Sequence, residues 1–324
     1  MLALALCTAS HRASAQERAL AADDRTRLAE VFRLAAFVGD RLWPGWTRTP
    51  FAVLLVTANQ VFLLRHPAPS SDFARVAYDS LLATEVYVRP RTVSPALLAT
   101  YPAVGGISTI VVGQPEATHR SSSAWVLTVL HEHFHQLQSS QPGYYAGVDA
   151  LGLSRGDQSG MWMLNFPFAY DSAVVQSRFA SYARALVRAI TPAGASAVLA
   201  RDVRTARAQL TSVLSADDDR YLEFQLWQEG VARYTELKVA RLAATRYTPS
   251  AAFRALPDYR GYASMAERLE QQIRDELSTA ALGDAKRTAF YPAGAATALV
   301  LDRVRPSWRA EYFAAPFRLS SLQR

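Results

Sequence analysis

The stretch Ser121-Ser122-Ser123-Ala124-Trp125-Val126-Leu127-Thr128-Val129-Leu130-His131-Glu132-His133-Phe134-His135-Gln136-Leu137 decides how this chain is read. Three hydroxyl side chains offer helix N-caps. The residues after them predict a helix from about Ala124 to Leu137, partly buried through Val126, Val129 and Leu130. On such a helix His131 and His135 stand one turn apart on one face, roughly 5–6 Å from each other. Two imidazoles at that separation can both reach one Zn²⁺ at about 2.0–2.1 Å. Glu132, to the side of the pair, can take a proton from water that the metal activates. Burying two histidines and a glutamate without partners is costly, and a metal removes that cost. The competing reading is an internally satisfied histidine pair. His133 points about 200° away from His131 and reads as a surface histidine, or one that supports the ligands from behind.

Upstream of this helix the pattern is mixed. Leu28, Val31, Phe32, Ala35 and Ala36 keep helical spacing within residues 21–42, and Trp43-Pro44-Gly45 ends that run. Phe51 to Thr57 and Gln60 to Arg65 read as a hairpin around Ala58-Asn59, and Glu85 to Val88 and Ile107 to Val112 as further strands. Gly105-Gly106 and Gly113 punctuate the last. Downstream the chain turns helical, with helices expected near 171–190, 194–214, 217–245, 260–278 and 293–303. Asp217-Asp218-Asp219 sits where the positive end of the third of these favours negative charge. The fold class is therefore α+β: a small strand-rich N-terminal part, residues 16–140, and a mainly helical part, residues 141–324. The active-site cleft is expected between them. Strand 107–112 is expected to form its rim and to pair with an extended substrate.

Composition narrows the function classes. The 324 residues carry a formal charge of +7, yet the basic residues are scattered and only Lys238 and Lys286 are lysines. A nucleic-acid site needs a cluster or stripe, so no nucleic-acid partner is expected. Residues 1–15 read as a signal peptide, with apolar Leu2 to Ala9 and an Ala13-Ser14-Ala15 cleavage pattern. That implies a secreted or periplasmic protein, and Cys7, the one cysteine, leaves with the leader. No later stretch reaches the length of a membrane span.

A catalytic zinc usually has three protein ligands and one open position. No histidine follows His135, so the third ligand is expected to be a downstream carboxylate. Glu229-Gly230-Val231-Ala232-Arg233-Tyr234-Thr235-Glu236 resembles the third-ligand helix of the aminopeptidase N group of gluzincin metallopeptidases. His131-Glu132-His133-Phe134-His135-Gln136 resembles the active-site helix of the same group. The resemblance implies a zincin-like fold, Zn²⁺ held by His131, His135 and Glu229, and Glu132 as general base. It covers the two helices only. Residues 136–228 intervene here, the two motifs lie far closer together in that group, and its Gly-Ala-Met-Glu-Asn motif is absent. Aminopeptidase activity is therefore not implied, and the chain more resembles the broad peptidase-MA-like proteins. Glu236, two turns past Glu229, reads as structural or as a support behind the ligands, not as a ligand. An oxyanion stabiliser is also needed. Related gluzincins place a tyrosine in a C-terminal helix, which points to Tyr291, with Tyr144, Tyr145 and Tyr234 as competitors. The expectation is a zinc-dependent hydrolase acting on a peptide or protein. A zinc hydrolase of another bond and an inactive zinc-stabilised binding protein are the alternatives. Tyr144, Tyr145, Trp162 and Phe166, in a Gly- and aromatic-rich segment, either wall the substrate cleft or form core.

Overall fold

Val53-Leu54-Leu55-Val56 is apolar at every position, and such a run is stable where both its faces are covered. In the computed structural model, which describes residues 19–191, 197–279 and 281–323, it forms strand β1 (Val53–Val56), buried throughout. The expected signal peptide lies outside the described residues. The chain divides into two compact units. The first takes the chain through Arg41, Gly45–Gln136 and Leu242–Tyr262; the second takes Leu42–Pro44, Leu137–Arg241 and the chain from Ala263.

In the first unit β1 is joined by β2 (Gln60–Leu64), β3 (Ala74–Asp79), β4 (Thr84–Pro90), β5 (Leu98–Val104) and β6 (Ile107–Gly113). They form one sheet in the order β3-β4-β2-β1-β6-β5. Neighbours are antiparallel except β1 and β6, which are parallel with Val53 opposite Ile110. The expected hairpin is β1–β2. Strands β3 and β5 were not expected, and both are edges. β3 is mostly solvent-facing, so it lacks an apolar stripe, and its Arg75 pairs across to Glu85. β5 contains Pro102, which cannot donate to a ladder and sits where the pairing register shifts. Gly105 and Gly106 both take positive φ, the backbone that a tight hairpin turn between β5 and β6 demands. Strand 107–112 therefore has no free edge, contrary to expectation. β1 and β5 occupy its two sides, and β5 is the edge.

One face of the sheet buries Leu54, Val56, Val61, Leu63 and Val111 with Phe73 and Val104. On the period-two argument Val53, Leu55 and Phe62 face the other way. Two helices that lie mostly in this unit are α1 (Ala22–Leu42) and α2 (Ser122–Ser139). Phe32 of α1 meets Phe51 edge-on at 5.2 Å. Phe51 stacks on His133 of α2 with ring centres 3.6 Å apart. The Gln136 amide donates to Ala52 O and Ser108 O at 3.0 and 2.9 Å. His133 is thus a core residue, not a surface one, and burial pushes its pKa down to about 3. The start of α2 is fixed from far along the chain. Ser121 Oγ accepts from Ala124 N, and the Asp258 carboxylate accepts from Ser122 N and Ser122 Oγ, both at 2.7 Å. A carboxylate there meets the positive end of the helix dipole.

The second unit contains α3 (Tyr144–Ala150), α4 (Ala173–Ile190), α5 (Ala197–Thr211), α6 (Ala216–Gln225), most of α7 (Val231–Arg246), nearly all of α8 (Tyr262–Thr279) and α9 (Phe290–Val304). Among the described residues no strand follows Gly113. No helix among the described residues is long and apolar enough to cross a membrane. The helix expected over 217–245 is broken by a π-helical turn, Leu226–Gly230, between α6 and α7. Ser215 caps α6, and Asp217, Asp218 and Asp219 occupy its first turn, as dipole complementarity requires. The core is aromatic: Phe290 meets Phe168, Tyr170, Phe179 and Tyr221. Phe166 stacks on Tyr221 at 4.5 Å and Trp162 lies on Phe224 at 5.3 Å. Both are buried, so the core reading holds for them, while Tyr145 is 51% exposed. Trp162→Ala is expected to cost about 3–5 kcal/mol of stability, read as a lowered denaturation midpoint. An unchanged midpoint would remove Trp162 from the core.

Candidate metal centre

His131 and His135 lie on the stretch of α2 that follows its buried apolar turns, and both are buried. Their rings stand edge to face with centres 4.9 Å apart, and their Nε2 atoms are 3.2 Å from each other. Two donors at about 2.0–2.1 Å from one tetrahedral ion are separated by about 3.3–3.4 Å, so the pair already stands near chelating distance. Glu229 joins them. One ligand atom from each of His131, His135 and Glu229 lies within 4.8 Å of the other two. Two neutral imidazoles and a carboxylate make a donor set suited to a catalytic zinc with one position open.

Glu132 is also buried. The Thr100 hydroxyl, on edge strand β5, sits 2.8 Å from Glu132 Oε2 and 3.0 Å from its backbone oxygen. One short side chain therefore fixes both the rotamer of the carboxylate and the turn that carries it. This leaves the other carboxylate oxygen, Oε1, for other partners.

Glu229 reaches its place through the π turn. An extra residue in a helical turn re-aims side chains and disturbs the regular pairing of carbonyls. Trp227 O and Gln228 O are held by the Gln138 amide nitrogen at 3.2 and 3.0 Å. The Tyr312 hydroxyl accepts from that nitrogen at 2.7 Å and donates to Trp227 O at 2.7 Å. Gln138 stands one turn beyond His135 on the same helix face. Tyr144, whose phenol is pushed up by burial, donates to the Gln228 side chain at 3.0 Å. On its other flank the turn meets α9 backbone to backbone. A Cβ on Gly230 would lie 2.4 Å from Gly294 Cα, and one on Gly294 would lie 2.6 Å from Gly230 Cα. Only glycine at both positions allows that approach.

Tyr291 lies one turn before Gly294 on α9 and is half-buried. Its hydroxyl accepts a hydrogen bond from Arg287, whose guanidinium lies 5.6 Å from the Tyr291 ring centre. Burial opposes the Arg287 charge, but Tyr291 and Glu229 more than offset it and hold its pKa above the usual value. The competing tyrosines are placed differently. The Tyr234 hydroxyl is committed to the Asp302 carboxylate at 2.7 Å. Tyr144 is buried against Trp227 and Phe317. Glu236 pairs with Arg233 at 3.0 Å.

Four residues around the centre escape the sequence reading. Thr100 lies on a strand that Pro102 disguises. Gln138 follows His135 at helical spacing, and Arg287 precedes Tyr291 by one turn; both spacings are visible once the helices are assigned. Tyr312 carries no such signal. Comparison with protein-family models, with curated proteins and with solved structures finds no match.

Removing support from the π turn should loosen the third ligand while leaving the histidines in place. Gln138→Leu is expected to weaken metal retention about 10–100-fold, measured by competition with a chromophoric chelator. Gly230→Ala, which drives a Cβ into the α9 backbone, is expected to do the same. Undiminished affinity in both variants would show that the turn does not set the site.

Proposed function

We propose that the protein is a zinc-dependent hydrolase of the gluzincin type whose substrates are peptides or proteins. The observation that carries this is the convergence of His131, His135 and Glu229 beside a glutamate anchored by Thr100. A binding site needs ligands alone. A buried, oriented carboxylate one residue from a ligand is what water activation needs in addition.

Zinc in such a set supplies Lewis acidity, lowering the pKa of water and polarising the carbonyl under attack. His131, His135 and Glu229 bind and orient it. Glu132 takes the proton from the attacking water and returns it to the leaving amine. The Thr100 hydroxyl keeps Glu132 in one rotamer through both transfers. Tyr291, whose oxygen accepts from Arg287, is the candidate for stabilising the oxyanion. Edge strand β5, carrying Thr100, takes over the substrate-pairing role that strand 107–112 cannot fill. A signal peptide over residues 1–15 would place this activity outside the cytoplasm.

Three substitutions test these roles. His135→Ala is expected to abolish stoichiometric zinc in the purified protein. Glu132→Gln is expected to keep zinc and to lose at least about 100-fold in turnover, the lower end for a general base. Glu229→Gln is expected to weaken zinc retention itself. Metal analysis with hydrolysis of a peptide library checks all three. Equal zinc retention in Glu132→Gln and Glu229→Gln would exclude Glu229 as a ligand. Zinc-dependent cleavage confined to esters would select the non-peptide alternative.

A further inference from the structure

Most buried or half-buried arginines of the second unit pair with acids, although Arg309 donates to a backbone carbonyl, Leu42 O. Arg207 contacts Asp219 and Glu223, both at 2.7 Å. Arg233 pairs with Glu236, and Arg241 with Glu270. Arg287 differs. It is half-buried, its hydrogen-bonded partner is the neutral phenol of Tyr291, and among the described residues no carboxylate forms an ion pair with it. Arg287 sits in the 3₁₀ turn Lys286–Ala289 that leads into α9, just before Tyr291, and the Glu229 charge acts on it. Tyr170 and Tyr221 feel the Arg287 charge as well.

We propose that Arg287 holds a carboxylate of the substrate beside the third-ligand turn, so that the site favours peptides with an acid group close to the bond that is cut. This rests on the hydrolase reading above and names its substrate class. The charge balance supports a single negative charge. A divalent cation, the Arg287 guanidinium and the two carboxylates Glu132 and Glu229 leave one formal positive charge, which a monoanion cancels. The guanidinium also has the geometry. Its donors form a planar fork that matches a carboxylate with two parallel hydrogen bonds, which an ammonium cannot do. One nitrogen is engaged by Tyr291, and the remaining donors are available to an incoming anion. The carboxylate can be the C-terminus of a peptide or an Asp or Glu side chain; both offer the same chemistry to Arg287.

The test uses the full chain loaded with zinc and three peptides of one sequence: a free C-terminal acid, its C-terminal amide, and the amide with Glu beside the scissile bond. For the wild type, kcat/KM is expected to be about 10–100-fold higher for one acidic peptide than for the plain amide. The identity of the better acid tells a chain end from a side chain. Arg287→Ala should bring that ratio close to one, and the ratio between peptides is the readout because Arg287 also bonds Tyr291. Arg287→Lys should fall between, and it stands in if the alanine variant does not fold. A binding arm reads the same contact without turnover: calorimetry with succinic monohydroxamate and with the corresponding amide, on the wild type and both variants. An equal loss on all three peptides, or no preference for either acid in the wild type, overturns the proposal. If neither hydroxamate binds zinc-loaded protein and no peptide is cleaved, the hydrolase reading itself fails. If both hydroxamates bind equally, the metal reading stands and Arg287 is not the anchor.

Discussion

Two α-carbons without side chains, Gly230 and Gly294, let α9 meet the Glu229 turn backbone to backbone, and the candidate centre depends on it. A methyl group at either position would sit inside the other backbone. Because α9 lies that near, the turn before Gly230 is pressed against a rigid surface and cannot relax into regular α-helix without moving it. Its carbonyls are held on another side by Gln138 and Tyr312. The backbone that carries Glu229 is therefore restrained on both flanks. The histidines are aimed in a simpler way. They ride on α2, and Gln136 and His133 tie that helix to β1 and the sheet.

This division explains how much of the molecule is readable from residues alone. The hairpin β1–β2, helices α1, α2 and α4, and the acid-capped start of α6 are local events. Each follows from hydrophobic period or cap chemistry within a few residues. What escapes is determined at a distance or masked. β5 is hidden by Pro102, and β3 by its lack of an apolar stripe. The π turn leaves no mark in the pattern around Leu226–Gly230, where the helical spacing runs on unbroken. His133 looks like a polar residue between ligands. It is core because Phe51 and Gln136 give its ring a stacking face and a hydrogen bond.

The candidate centre divides along the same line. His131, Glu132 and His135 are spaced by helix geometry, so their convergence can be read directly. Glu229 could be named only through a resemblance of short motifs, since nothing local tells a residue so far along the chain where to return. The supporting residues Thr100, Tyr312 and Arg287 belong to elements whose placement is tertiary. The aromatic segment carried two readings, and packing separates them: Trp162 and Phe166 fill the interior, whereas Tyr145 faces solvent.

The start of α2 is tied to Asp258, 136 residues later. The first unit is therefore discontinuous: its last piece, Leu242–Tyr262, comes after most of the second unit. A ribosome delivers residues in order, so the sheet and the histidine-bearing helix emerge long before the segment that closes their unit. During that interval Ser122 N and the buried Arg27 lack the carboxylate of Asp258. Nascent chains shorter than about residue 262 should hold the first unit incompletely, and final locking of the histidine helix belongs to the end of synthesis rather than its middle.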